Sequence, residues 1–469
     1  MNGIWYSSSK IAIIFCRIFL LMWTSRHLLP EDFGIFHAFN ILIVLFMEIP
    51  NTGLGASLIK QKEVNQNHFN TVFFSYVIFA LFFAGVLYLG SDAIAGFFNI
   101  NQLSDILKNI FWLPIFIALS AISRNILLRD LKVKKISLIE LFSFSCVYVP
   151  GVFIVYYFQP NYYALIYPMV AQVFVESLLF YAVKKEKYFF KFDKTAWNDL
   201  IHFGKWNTAS RIVGMMGNQA DGIIIGKVLG ASALGVYNRS YSIMSTLQNL
   251  YSQYLDNIIF ADFARMEDDK SLHLKKIIRV EYLLNLFIFP SLLIVLSCSS
   301  EIVLILLGDQ WKATEILLQI LTLGLLFRLN YKITLQYLRA QGYIKNTFYF
   351  SSFYLIVTVL LMLALSSFGL IGITLGYSLG LVFQYLQLHH KVSKVIPGYT
   401  LLEFLKANKF LLLKFVFILA FLMAFNHYLC NAFNFYLAVA VKIGFVFLFF
   451  TKPIYYEIIS ILKSKNKKP

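Results

Sequence analysis

The chain has 469 residues, of which 59% are hydrophobic and 14% charged, with 41 Lys and Arg against 24 Asp and Glu. A soluble chain keeps about a quarter of its residues charged to stay wetted, so this composition excludes a water-soluble globular protein. The formal charge of +17 would suggest nucleic acid in a soluble chain. Here it is expected to lie in loops against an anionic leaflet, with no nucleic-acid partner.

The apolar residues come in runs of about twenty, the length that crosses about 30 Å of hydrocarbon at 1.5 Å per residue. Backbone N–H and C=O groups cannot stay unpaired in lipid, so each run is predicted to be a helix. The short alternating segments of a membrane β-barrel do not occur. The N-terminal MNGIWYSSSKIAIIF runs into the first span with no small-residue cleavage site, so no removable signal peptide is expected. In chain order, six spans are predicted at about 11–28, 35–50, 69–90, 107–124, 136–158 and 162–183. Six more follow at about 209–229, 235–260, 282–306, 314–337, 348–367 and 370–388, then two at about 409–426 and 434–451. The fold class expected is all-α and polytopic, with fourteen transmembrane helices.

Lysines and arginines cluster after the even-numbered spans: Lys60 and Lys62; Arg129, Lys132, Lys134 and Lys135; Lys184, Lys185, Lys187, Lys191 and Lys194. The same holds for Arg265 to Arg279, for Arg339 and Lys345, for Lys391 to Lys409, and for the tail from Lys463 to Lys468. The other side has little beyond Arg26, Lys227, Arg239 and Lys312. By the positive-inside rule both termini are expected in the cytoplasm. Cys16, Cys146, Cys298 and Cys430 lie singly in apolar runs, with no CxxC or disulfide framework, and read as packing residues.

The sequence also repeats itself. GIWYSSSKI (Gly3 to Ile11) aligns without gaps on GKWNTASRI (Gly204 to Ile212), and the register pairs Arg26 with Lys227 and Phe33-Gly34-Ile35-Phe36 with Leu234-Gly235-Val236-Tyr237. Further on, DILKNI (Asp105 to Ile110) matches EILLQI (Glu315 to Ile320) and pairs Leu128-Arg129 with Leu338-Arg339. The expected organisation is a six-helix lobe at 1–195, a second at 196–395, and 396–469 holding two added helices and a basic tail. An even number of spans per half sets both halves the same way up about an axis along the membrane normal. Such bundles place a substrate path at the interface of the halves.

No Walker A loop, HExxH, strand-borne GxGxxG or nucleophile elbow occurs, and the longest hydrophilic segments, about 184–205 and 261–279, are too short for a catalytic domain. Outer loops such as SSFG (366–369) are minimal, unlike those expected of a glycosyltransferase or polymerase. No catalytic residue, metal or cofactor is expected. The informative residues are charges inside spans, which cost about 2.5 kcal/mol or more at mid-bilayer and mark functional paths. These are Arg17, Asp221, Arg328 and Lys332 on one face of the tenth span, and the carboxylates Glu48, Glu140 and Glu176. Two readings stay open: a substrate or ion path, or interhelical pairs such as Arg17 with Glu48. Lys10 and Arg211 occupy equivalent positions in the two halves, as do Arg26 and Lys227 sixteen residues further on. Cations from both halves on a shared cavity suit an anionic substrate; snorkelling to lipid phosphates is the alternative. The glycines in GIIIGKVLG and GLIGITLGYSLG suit close helix approach or local unwinding.

The stretch DGIIIGKVLGASALGVYNRSYSIMSTLQNLYSQYLDNIIFADFARMEDD (Asp221 to Asp269) resembles the second-half signature of polysaccharide exporters of the multidrug/oligosaccharidyl-lipid/polysaccharide flippase superfamily. LLPEDFGIFHAFN (Leu28 to Asn40) is similar to its first-half counterpart, LLRDLKVKKISLIE (Leu127 to Glu140) to the loop after the fourth span, and ILLGDQW (Ile305 to Trp311) to that after the ninth. The resemblance covers essentially the whole chain and is nearest the Wzx/WzxC branch. It implies two six-helix lobes in a V around a cationic cavity, two extra helices, and flipping of undecaprenyl-pyrophosphate-linked repeat units of O-antigen, capsule or exopolysaccharide. Membrane lipids, and a polymerase and glycosyltransferases of the same pathway, are the implied partners, and the bacterial inner membrane the implied location. The cavity role carries over to Arg26, Asp221, Lys227 and Arg239. Lipid II flippases of the superfamily have further arginines in the second span, where this chain has Glu48 instead. Multidrug antiporters, the other rival, rely on acidic sites and hydrophobic cavities.

Overall fold

The computed structural model describes all residues except 1, 53, 61–63, 184–187, 255–258, 260–261, 264–269, 429–434 and 466–469. In parts of some helices only the backbone is described, so the side chains of Lys10, Glu48 and Arg211, and with them an Arg17–Glu48 pair, lie outside the described residues. Among the described residues no strand forms. The helices are α1 (Asn2–His27), α2 (Pro30–Thr52), α3 (Leu54–Lys60), α4 (Gln66–Leu89), α5 (Ser91–Phe98), α6 (Gln102–Ile110), α7 (Leu113–Arg129), α8 (Val133–Phe142), α9 (Val149–Phe158) and α10 (Tyr163–Val183). They continue as α11 (Lys194–Tyr254), α12 (Lys270–Ser297), α13 (Ser299–Leu306), α14 (Thr314–Ala340), α15 (Ile344–Ala364), α16 (Gly369–Val395), α17 (Leu401–Tyr428) and α18 (Phe435–Lys465).

The predicted spans fall on helical segments wherever they are described, those at about 107–124, 136–158 and 282–306 on two helices each. Eleven described segments, the first span on α1 not among them, are long and apolar enough to cross a membrane, twelve if α6 and α7, bent by 53°, count as one. One of the eleven, Ile212–Ser252, is 41 residues long and holds two predicted spans. They meet at Gly230, where φ is +79°, a left-handed value that a side chain would resist. The ninth span differs from expectation. Its helix α12 starts at Lys270, twelve residues before the apolar run, and ends at Ser297. The basic stretch continues the helix because His273 and Ile277 are themselves buried on its inner stripe. At the other end the Ser297 hydroxyl donates to the Leu293 carbonyl (2.7 Å) where the helix stops. Large apolar side chains such as Phe82, Leu89, Tyr157, Phe410, Leu413 and Leu448 project outward. In water that surface would demand cover; against lipid tails it needs none. The chain is a multi-pass membrane protein.

It packs as two compact units, the first made of residues 1–238, 306–310 and 351–355, the second of 239–305, 311–350 and 356–469. In the first, α7 packs against α4 and α10, around buried Phe39, Phe46, Leu103, Leu113 and Phe180. Its polar groups are matched inside: Asn125 donates to the Tyr76 hydroxyl (3.3 Å), Arg124 pairs with Glu140 (3.3 Å), and Ser143 donates to Glu176 (3.2 Å). Glu140 and Glu176 thus fit the interhelical reading. Asp193 starts α11, its carboxylate accepting from the amides of Thr195 (2.9 Å) and Ala196 (3.0 Å) and from Asn67 at the start of α4 (3.0 Å).

In the second unit α14 lies along α16, with Gly324 against Ser378. Gly376 and Gly380 of α16 seat against Met362 and Thr358 of α15. Because α16 runs unbroken, these glycines serve close packing rather than unwinding. Helix α12 is buried by α14, α17 and α18, and an amide ladder runs from Asn408 through Asn285 to Asn330 (3.2 and 2.9 Å).

Candidate functional site

The repeat found in the sequence becomes a reciprocal helix crossing inside the first unit. A Cβ on Gly34 would stand 1.8 Å from the Ala231 carbonyl oxygen, and a Cβ on Gly235 would stand 1.8 Å from that of Pro30. Gly34 and Gly235 are repeat equivalents, and so are Pro30 and Ala231. Only glycine lets two backbones come so close. On the same crossing His37 and Asn238, also equivalents, share a hydrogen bond of 2.7 Å across 201 positions, the repeat spacing itself. Contacts in which each residue meets the other's counterpart are the mark of a two-fold axis.

The ends of the crossing helices are capped crosswise. Asn99, in the link after α5, donates to the Lys227 carbonyl (3.3 Å). Gln310, in the corresponding link after α13, donates to the carbonyls of Ser25 (2.5 Å) and Leu28 (3.2 Å). Each repeat's loop therefore satisfies carbonyls at the end of the other repeat's helix, groups that would otherwise lack partners. Two exposed cations flank this arrangement. The Lys227 ammonium lies 4.5 Å from the centre of the Phe97 ring, and the Cγ of Arg26 lies 3.5 Å from where a Cβ on Gly308 would be. On α11, buried Asp221 accepts from the Gly222 amide (2.8 Å) and from the Tyr237 hydroxyl (2.5 Å), tying the helix together across its Gly230 break. The GIIIGKVLG glycines thus divide the two roles: Gly222 and Gly226 admit Ile41 and Phe98 closely, and Gly230 breaks the helix.

The remaining predicted residues lie elsewhere. Arg17 is exposed midway along α1, 5.4 Å over the Phe144 ring. In the second unit, Arg239 is buried one residue past the crossing. Arg328 is enclosed, donating to the Tyr377 hydroxyl and lying 5.8 Å from the Tyr241 ring centre. Lys332, one turn on, is half-buried. Among the cations with described side chains, Arg26 and Lys227 are exposed at equivalent places of the repeat beside this crossing, and Arg328 is a buried core residue.

Sequence reasoning missed a buried ion pair in the second unit. Lys442 of α18, 1% exposed, binds Glu301 of α13 and donates to the Ser297 carbonyl (3.1 Å), which also accepts from Asn426 of α17 (3.1 Å). The last two helices are pinned there by polar contacts. A lysine inside an apolar run carries the same cost signal as Arg328.

The polysaccharide biosynthesis protein family profile matches residues 24–316. The teichuronic acid biosynthesis protein TuaB of Bacillus subtilis is 26% identical over 322 residues, 68% of this chain and 65% of that protein. The lipopolysaccharide biosynthesis protein WzxC of Escherichia coli is 23% identical over 407 residues, 84% of this chain and 80% of that one. Among solved structures, the lipid II flippase MurJ in an inward closed conformation superposes with a TM-score of 0.79 at 16% identity, covering 97% of this chain and 100% of that chain. An inward-facing multidrug resistance transporter of the MATE family, in the MOP superfamily, superposes with a TM-score of 0.63 at 12% identity, covering 83% and 96%. At those identities the likeness is one of fold.

Proposed function

Because this chain belongs to the polysaccharide biosynthesis protein family, we propose that it moves a lipid-linked oligosaccharide repeat unit across the bacterial cytoplasmic membrane by alternating access. The observation that carries the reading is the cation pair, Arg26 and Lys227, set at equivalent places beside a crossing built from both repeats. Such a pair suits an anion whose charge is spread over two phosphates, with the Arg26 fork gripping two oxygens and Lys227 acting as a point charge. In this reading the lobes are 1–195 and 196–395, Lys10 and Arg211 are a second set of repeat-equivalent cations, and Arg17, Arg239 and Lys332 are further candidate cations. Both termini face the cytoplasm, and polymerase and glycosyltransferases of the same pathway act on either side. The chain itself makes no covalent bond.

A polyprenyl-pyrophosphate diester carries about two negative charges, and with the interior negative its outward passage is downhill by roughly 2.3 kcal/mol per charge per 100 mV. The substrate's own charge thus supplies a driving force without ATP.

The test is deletion of the gene followed by assay of which membrane face holds the lipid-linked oligosaccharide, with glutamine replacing Arg26, Lys227 or both in the complementing copy. Accumulation on the inner face, a partial defect in each single variant and a severe one in the double support the reading. Normal surface glycan with altered drug resistance would overturn it in favour of an antiporter. Wild-type export from the double variant, at equal protein level, would remove the pair from the site.

A further inference from the structure

The second unit holds a carboxyl group that none of the foregoing employs. Glu281 on α12 is fully buried, and its Oε1 accepts from the Tyr399 hydroxyl at 2.5 Å while Oε2 has no hydrogen-bond partner among the described residues. Tyr399, equally buried, enters from the link between α16 and α17. The ring of His389 on α16 lies tilted against Tyr399, 4.3 Å between centres, and 5.6 Å from Tyr385. Both His389 nitrogens and the Tyr385 hydroxyl are likewise buried without hydrogen-bond partners among the described residues. Phe404 of α17 closes the pocket against Tyr385. Buried polar groups are nearly always satisfied, and a cluster that is not calls for an occupant.

No ion pair reaches Glu281 among the described residues; the charges on the helices packed against it have other partners or are exposed, as Lys275 on α12 is. On α12 itself, Arg279 pairs with Glu457, Lys276 with Asp262, and His273 bonds the Tyr337 hydroxyl. On α14, Arg328 is held by Tyr377, and Lys332 and Arg339 have other partners. On α16, His390 and Lys394 are exposed and Lys391 lies over the Tyr343 ring. On α17, Lys406 pairs with Glu403, Lys409 lies over Phe410 and Lys414 donates to the Phe449 carbonyl; on α18, Lys442 is held by Glu301. An unpaired carboxylate in such a setting is strongly disfavoured.

We propose that Glu281, with Tyr399 as its hydrogen-bond donor and His389 and Tyr385 as its walls, is a proton-binding site in the second unit. A metal cation fits poorly. The cluster offers four side-chain oxygens where hard cations take about six or more, and no group of three His, Cys, Asp or Glu able to hold a metal occurs among the described residues. Burial and the neighbouring Glu281 hold the Tyr399 phenol well above its ordinary range, so it remains a donor. A cavity of about 390 Å³ is lined by Gln341, Tyr343 and, on two of the helices that carry the cluster, His273, Lys391 and Lys394. His273 is eight residues from Glu281 on α12, about 12 Å at helical rise, and Lys391 is two residues past His389. The proton site stands apart from the identity of the cargo; only its coupling to movement rests on the transport reading.

The experiment is infrared difference spectroscopy of the full-length protein in liposomes, acidic minus alkaline buffer, following the C=O stretch of a protonated carboxyl group. Glu281→Gln should delete one band, since the amide keeps an acceptor for Tyr399 and cannot take the proton. Tyr399→Phe removes a hydrogen bond that favours the carboxylate, so the band should persist to a midpoint about one pH unit higher. A spectrum of Glu281→Gln identical to the parent, or an unmoved midpoint in Tyr399→Phe, overturns the proposal. So does a band that follows sodium concentration at fixed pH, which would make the site a cation site. None of these readings depends on whether oligosaccharide is carried.

Discussion

Adding one methyl group at Gly34 is a severe change in this fold. The new carbon would stand 1.8 Å from the Ala231 carbonyl oxygen, so reaching the 3.4 Å of ordinary contact requires the helices to part by about 1.6 Å. The obstacle is helical backbone, which cannot rotate away as a side chain end can. Overpacking of this kind costs about 1–3 kcal/mol, and a backbone obstacle places Gly34→Ala at about 3 kcal/mol. Alanine's better helix propensity returns about 1 kcal/mol, leaving a net loss of about 2 kcal/mol. Gly85→Ala is the control: nothing lies within 4 Å of its Cβ position, so it should be neutral or slightly stabilising. Gly235→Ala should match Gly34→Ala because its obstruction by Pro30 is the same 1.8 Å. A single separation relieves both clashes, so the double variant should lose clearly less than the sum of the singles. Thermal unfolding of the solubilised full-length protein, read by size-exclusion of what remains folded, measures all four. The reasoning is refuted if Gly34→Ala behaves like Gly85→Ala, or if the two losses add in full.

Lys442→Met should destabilise by about 3–5 kcal/mol, because it strands the Glu301 carboxylate in the interior, while Lys442→Met with Glu301→Gln should recover most of that loss; thermal unfolding separates the two. The Asp193 carboxylate is held below its ordinary range by the Thr195 hydroxyl and the Ala196 amide. Its contribution is therefore complete above the ordinary carboxylate range and fades as pH falls through the lowered value. Asp193→Asn keeps a capping oxygen but should flatten that acid-side decline, as melting temperatures of parent and variant between neutral and strongly acidic buffer will show. Single cysteines introduced near Lys270 and Lys465 should resist an impermeant thiol reagent added outside intact cells; labelling of either contradicts cytoplasmic termini.

The helices were legible because lipid leaves the backbone one solution, and each apolar run had to become one. Their ends were less so: α12 continues through Lys275 and Lys276 because buried His273 and Ile277 extend its stripe, a pattern that mean apolarity hides. The repeat was legible as matched letters, and Gly34 with Gly235 stood in it. That the two copies would pack on one another was not, since the bonds that prove it join unlike residues, His37 to Asn238. The cost of charge in a span pointed to Arg17 and Arg328 but not to their surroundings, and one proved exposed, the other enclosed. Glu281, Tyr399 and His389 carry no common spacing, being joined only where three separate segments meet.

On a two-fold axis a residue meets its own copy. In a dimer of identical chains the position of His37 would face a second histidine, and two like rings must share the roles of donor and acceptor between tautomers. Joined in one chain, the two copies are free to diverge, and here an amide stands opposite the imidazole. The same freedom explains why an acid, Asp221, and its phenol, Tyr237, occur in one copy while the other has Leu20 and Phe36. With both repeats in one chain, asymmetry can enter even on the axis, a residue at a time, without disturbing the contact of Gly34 with Ala231 and of Gly235 with Pro30.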